Sequence, residues 1–291
     1  MDTLPVTRRF YWSLRRELWE NRSLTVAPMA LAALFVMAFT IGVSRLPATL
    51  RRAATLDPMK QHDALALQYD ISSGLMMGIA LIVTIFYCLD ALYGERRDRS
   101  ILFWKSLPVS DRMTVVTKAA VAIVFVPLLS IALTLAMDAG MLLLSSAVTA
   151  ASGQSVAFLW SRLAFGEMSL LLVYHWFTVH MVGYAPFYAY LLLVSALVKR
   201  APFVWAFLPP LALGFLERIA FNSSHVFGFV LGRLGGNGME AMTAPGKFPT
   251  SPMTHLTPGR YLASPDTWLG LAATVVLLAV AVRLRRYRSP I

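Results

Sequence analysis

Apolar positions in this chain run in long uncharged blocks instead of alternating with polar ones: Val26–Val43, Ile71–Leu89, Ala119–Met137, Met168–Val198, Ala201–Leu216 and Thr267–Val282. A helix needs about 20 apolar residues to cross the hydrocarbon of a bilayer, with a working range of about 17–25. The first four blocks meet that length, and the last two reach it with flanking residues or local thinning of the bilayer. The pattern predicts an all-α membrane protein with six transmembrane helices.

Before the first block, Pro5 to Arg22 reads as a further helix, with proline tolerated in its first turn. On a helical wheel Val6, Phe10, Tyr11, Leu14 and Leu18 share one face, while Arg8, Arg15 and Arg22 share the other with Trp12 and Trp19. Such a helix lies in the headgroup plane, apolar side down and arginines near anionic lipid. Residues 1–24 are therefore expected to form an amphipathic interfacial helix, and residues 25–291 the six-span domain.

Composition narrows the class. Of 291 residues 57% are hydrophobic and 14% charged, against roughly 25% charged in a soluble domain. Too few charges remain to coat a soluble core. A single cysteine, Cys88, excludes an intramolecular disulfide and a cysteine metal site, and its place in a span reads as packing. No cleavable signal peptide is expected, because the first apolar block is too long and lacks a small-residue cleavage site. The arginine-rich start is like a mitochondrial presequence, but Glu17, Glu20 and the adjoining span argue against one.

The net charge of +11 matters less than its distribution. Seventeen Lys and Arg fall in the N-terminal segment, the second and fourth loops and the tail. Nine fall in the other loops, spread over more residues. This bias puts both termini in the cytoplasm and makes lipid, not nucleic acid, the expected partner of the basic residues. It also bears on residues 119–161, where Asp138 is the only charge. A two-span hairpin turning at Asp138 and Gly140 would carry Lys199, Arg200 and the tail outside. One long helix to about residue 148, ending before Ser152-Gly153, keeps the bias intact and is the expectation.

The second loop, residues 93–112, sets an apolar group (Ile101, Leu102, Phe103, Trp104 and Leu107) between charges, and Pro108 ends its helical pattern. Apolar patches edged by charge mark partner surfaces. The run GERRDRSILFWKSLPVSDR resembles the loop between spans two and three of ABC type-2 exporter permeases, in which a Glu-containing turn precedes a short helix and a Leu-Pro-Val-Ser exit. The overall layout is similar too, with an amphipathic N-terminal helix and six spans. The family often has Gly-Thr or Gly-Ser after the acidic residue, where Arg99-Ser100 stands here.

The resemblance implies a permease subunit of an ATP-driven exporter in a cell (inner) membrane, multi-pass and bacterial. It would be a homodimer or pair with a related permease, and it would dock a separate nucleotide-binding ATPase subunit. Glu95, Arg96, Arg97, Asp98, Arg99, Ile101, Leu102, Phe103, Trp104, Leu107 and Pro108 would form the coupling element. This chain would hold no cofactor of its own, ATP and Mg being on the partner. No G-x-x-x-x-G-K-[ST] motif occurs; Gly246-Lys247-Phe248 lacks both the upstream glycine and the hydroxyl residue. The chain is expected not to be an enzyme.

Ionisable residues within spans are functional candidates. Asp138 is either a helix-end residue at the interface or a lining residue of the translocation path. His175 and His180 are five apart, which on an α-helix separates them by about 140°. They are then not a metal-binding pair, and H-E-x-x-H is missing. Residues 217–266 are expected to form a long outer loop whose apolar part, Ile219–Gly232, is re-entrant or interfacial. A rival reading is an ion-coupled carrier or a membrane-embedded enzyme using Asp138, His175 and His180. A third is an anchor for a cytoplasmic complex.

Overall fold

The computed structural model describes residues 5–106, 109–225, 228, 256 and 258–287. Leu107, Pro108 and most of the expected outer loop lie outside the described residues. The described chain is helical, with no strand among the described residues. Helix α1 spans Val6–Glu20, α2 Ser23–Gly42 and α3 Leu46–Ala53; α4 is Pro58–Ala91, followed by the short α5 (Tyr93–Arg97) and α6 (Ser100–Ser106). Next come α7 (Asp111–Ala120), a π-helical turn at Val121–Phe125 and α8 (Val126–Ala151), then α9 (Val156–Leu163) and α10 (Phe165–His175). A second π segment, Trp176–Gly183, leads into α11 (Ala185–Leu197) and α12 (Pro202–Phe221). Helices α13 (Pro258–Ala263) and α14 (Pro265–Tyr287) complete the described order.

Among the described residues six helical segments are long and apolar enough to cross a membrane: Ser23–Ala53, Lys60–Arg97, Asp111–Ala151, Val156–Leu197, Pro202–Phe221 and Pro265–Tyr287. This is the build of a multi-pass membrane protein. The third segment is one unbroken helix of 41 residues, as the charge bias required. Several segments outrun their apolar blocks by one or more turns. The fourth is divided at Ala164, whose left-handed backbone (φ 50°) separates α9 from α10.

Prolines account for the irregular turns. The π turn at Val121–Phe125 stands just before Pro127, and the one at Trp176–Gly183 just before Pro186. A proline ring collides with the carbonyl four residues back and supplies no N–H, so the helix widens ahead of it. In the second case the Tyr184 amide donates to the Val179 carbonyl, five residues back, at 2.8 Å. In α12, Pro210 has no N–H to offer the Ala206 carbonyl, and the Tyr190 hydroxyl on α11 donates to that oxygen instead at 3.0 Å.

The bundle has two apolar layers. One joins α3, the start of α4, the end of α8 and α9 through Leu50, Leu65, Tyr69, Met141 and Leu163. The other joins the end of α4, the π turns and α11 through Tyr87, Cys88, Val121, Trp176 and Tyr188. Helix α11 lies along α14, and α4 runs between α2, α8 and α11. By contrast α12 touches mainly α11 and α4, and most of its side chains face outward. A small third cluster (Leu92, Val115, Ala196 and Ala281) floors the site described next.

One expected boundary moves. Ile219–Phe221 is the last turn of α12, which ends at Asn222 in the left-handed region (φ 49°). Those residues belong to the fifth span and not to a re-entrant segment, because apolar side chains continue the helix until Asn222 takes up the left-handed turn.

Candidate functional site

The second loop is set into the bundle by its own backbone. Helix α4 breaks at Leu92, which frees two amides: Leu92 and Tyr93 donate to the Ser195 hydroxyl at 3.0 and 2.8 Å. Arg96 then crosses to the end of α11, donating through Nη1 to the Ala196 and Val198 carbonyls at 2.7 and 3.1 Å. Terminal carbonyls of a helix have no intrahelical partner, so the buried guanidinium satisfies both. These bonds fix α5 against α11.

Glu95, one residue earlier, enters a buried ionic cluster. Glu17 of α1 is fully buried and receives Lys118 Nζ on both carboxylate oxygens at 2.9 Å. Tyr87 of α4 donates to Glu17 Oε2 at 3.1 Å, and Arg16 Nη2 lies 2.6 Å from Glu17 Oε1. Lys118 also meets Glu95 Oε1 at 3.1 Å, and Arg285 of α14 meets Glu95 Oε2 at 2.9 Å and Asp111 at 3.3 Å. Glu95 is thus held on one oxygen by Lys118 and on the other by Arg285.

Three acids (Glu17, Glu95 and Asp111) balance three bases (Arg16, Lys118 and Arg285). Burial alone would push the Glu17 carboxyl up, but Lys118 and Arg16 more than reverse this and hold it below its ordinary value of 4.5. The cluster ties together α1, α5, α7 and α14, elements far apart in sequence. Its cost in desolvation is large, and its parts are stable only together.

The residues expected to form a coupling element are placed in two groups. Glu95, Arg96 and Ile101 are buried within the chain. Trp104 is half-buried beneath the Arg16 guanidinium, 4.0 Å from the ring centre. Outward stand Arg97 and Asp98, paired at 2.8 Å, with Arg99, Leu102 and Phe103. Leu102 and Phe103 are each 59% exposed. Arg99 has a left-handed backbone (φ 57°), the conformation a glycine takes most easily. Leu107 and Pro108 lie outside the described residues.

Arg16, Glu17, Tyr87, Asp111, Lys118 and Arg285 were not anticipated as site residues. A signal was present: Lys118 and Arg285 interrupt apolar stripes (Val115, Ala119 and Ala122; Ala281 and Val282), and a charge on a buried stripe demands an opposite one. The apolar face expected for α1 is also displaced. Ser13 and Glu17 are the residues it buries, with Phe10, Leu14 and Leu18 half-buried beside them and Val6 and Tyr11 exposed. The pull of Lys118 on Glu17 sets this rotation.

Within the spans, Asp138 is buried between α8 and α4, with Ser72 Oγ 3.3 Å from Oδ1 and Ser73 Oγ 3.4 Å from Oδ2. It stands well inside α8, not at a helix end. His175 and His180 come together, against expectation: their ring centres are 6.1 Å apart. The cause is the π segment between them. With more than four residues per turn, a spacing of five returns to nearly the same face. Among the described residues no third His, Cys, Asp or Glu joins them to make a metal set. His180 packs instead on Trp176 at 4.2 Å and Tyr184 at 5.0 Å.

Comparison with known proteins yields no match to a family model, a curated protein or a solved structure.

Proposed function

We propose that the chain is the permease subunit of an ATP-driven ABC exporter of the type-2 class, with both termini in the cytoplasm and ATP hydrolysis on a separate subunit. The observation that carries the reading is the mounting of α6. Leu102 and Phe103 project outward between Arg97, Asp98, Arg99 and the half-buried Trp104, an apolar knob with a charged rim of the kind that seats in a partner's cleft. Behind the knob, Arg96 and Glu95 fix the loop to α11, α14, α7 and, through Lys118 and Glu17, to α1.

A force on α6 therefore reaches four elements through short, buried, charged contacts. ATP-driven closure of a partner ATPase dimer would pull on the knob and tilt the spans. The path would lie on the two-fold axis between two permeases. In this reading α1 lies at the membrane surface, its exposed Trp12 and Trp19 flanking Arg15 at 5.3 and 4.5 Å from the ring centres. Aromatic and cationic side chains of that kind suit the headgroup layer.

The test is purification of the tagged chain in mild detergent from its native cells, with a search of the eluate for a stoichiometric P-loop subunit and ATPase activity. Leu102→Glu with Phe103→Glu should abolish association while leaving the chain folded and inserted. A chain that elutes alone under several mild conditions, or a double variant that keeps the ATPase, would sink the proposal.

A further inference from the structure

The charges around the knob of α6 are not alike. Arg97 lies 2.8 Å from Asp98 and 3.6 Å from Asp90, and its guanidinium also stands over the Tyr93 ring. Arg97 and its two acids therefore answer one another within the chain. Arg99 is exposed, and among the described residues its side chain makes no ion pair and no hydrogen bond. It is the rim charge left uncommitted.

The mount holds that charge beside the apolar pair. The Leu102 amide donates to the Arg99 carbonyl at 3.2 Å, so Arg99 stands one turn from Leu102 and Phe103. The other side of α6 is fixed. Ile101 is 1% exposed, and Trp104 lies beneath the Arg16 guanidinium with the Phe103 ring edge-on at 4.9 Å. The guanidinium and the apolar pair are thus offered together on a surface already ordered, which loses little entropy when a partner binds.

The backbone at Arg99 points the same way. Its φ of 57° sets an L side chain against its own carbonyl, where glycine is free of strain. Strain of this kind persists where the rest of the molecule has a use for the residue. No described contact within the chain uses this side chain, so the use lies outside it. The complement of a guanidinium is an acid, and a carboxylate takes it by two parallel N–H···O bonds. A lipid phosphate layer would be repelled by Asp90 and Asp98, both exposed in the same rim, whereas one placed carboxylate would not. Resting this inference on the exporter reading, we propose that Arg99 pairs with a carboxylate at the mouth of the apolar cleft, on the ATPase subunit, that receives Leu102 and Phe103.

The experiment measures binding of the co-purified ATPase subunit to the full chain in nanodiscs of neutral lipid, over about a tenfold range of salt concentration. Arg99→Gly relieves the backbone and removes only the charge; it should stay folded and bind roughly tenfold more weakly at low salt. Arg99→Lys should fall between it and wild type, because an ammonium lacks the planar fork. Salt should weaken the wild type and leave Arg99→Gly nearly unchanged, a difference that a merely structural role for Arg99 would not produce. An Arg99→Gly chain that binds like wild type, while Leu102→Glu with Phe103→Glu abolishes binding, would overturn this inference and leave the exporter reading standing. A weakening that appears only in anionic lipid would overturn it in favour of a headgroup contact. A wild type that binds no ATPase subunit would overturn both.

Discussion

The buried ionic cluster makes a quantitative prediction for Lys118→Met. Methionine keeps the length of the side chain and removes its charge, so Glu17 is left fully buried with Arg16 and the Tyr87 hydroxyl, and Glu95 with Arg285. Charges centred roughly 3.5 Å apart attract by about 5 kcal/mol at an effective dielectric near 20. Removing one partner of a buried pair typically costs about 3–5 kcal/mol, because the remaining charge keeps its desolvation cost without its partner. Lys118→Met should fall in that range. Glu17→Gln alone should be costly for the mirror-image reason. The double variant removes both charges together and should be more stable than Lys118→Met alone, since Arg16 can still turn to Glu20 at 3.7 Å or Glu95 at 3.9 Å. The assay is unfolding of the purified chain in mixed micelles, followed by tryptophan fluorescence, for wild type, both single variants and the double. A coupling energy of about 2 kcal/mol or more is expected from contact of this kind. Additive single-variant costs would refute the reasoning, as would a Lys118→Met cost below about 1 kcal/mol, the level of an exposed pair.

Three further outcomes follow from the same contacts. The Glu17 carboxyl is held below its ordinary value of 4.5 in the folded chain, so its contribution is fully present above that value and is lost as pH falls towards the folded one; in unfolding titrations the gap between wild type and Glu17→Gln should be constant near neutrality and close through that acid window. Arg99→Gly should raise stability by about 1 kcal/mol, the strain of a left-handed non-glycine residue, and a loss of stability on this change would show that Arg99 makes a compensating contact. Tyr190→Phe strips the Ala206 carbonyl of its donor and should cost about 1–3 kcal/mol, while the same change at the exposed Tyr11 should cost almost nothing.

The structure also bears on how the outward knob and the buried cluster divide the work of one loop. Arg96 and Glu95 anchor; Leu102 and Phe103 present. Their substitution effects should therefore separate. Loss of anchoring should lower stability, whereas loss of the knob should leave stability intact and weaken only the association proposed for it.

Much of the architecture follows from the sequence alone, because a bilayer imposes length and polarity on every segment that crosses it. The six apolar blocks each fall, to within a residue, in one long helical segment, and the distribution of Lys and Arg among the loops was enough to favour a single helix over a hairpin at residues 119–161. The exposed pair Leu102 and Phe103 was legible as an apolar interruption of a basic loop. Tertiary structure decided the rest. The rotation of α1 follows Glu17 to Lys118, a partner 101 residues away, and no wheel drawn on α1 contains that attraction. Glu95 read as part of a partner surface until its neighbours from α7 and α14 placed it inside. His175 and His180 were assigned to different faces from α-helical spacing, and the π turn ahead of Pro186 brought them together. In each case the deciding force was local in space but distant in sequence, or a backbone distortion that residue spacing alone does not encode.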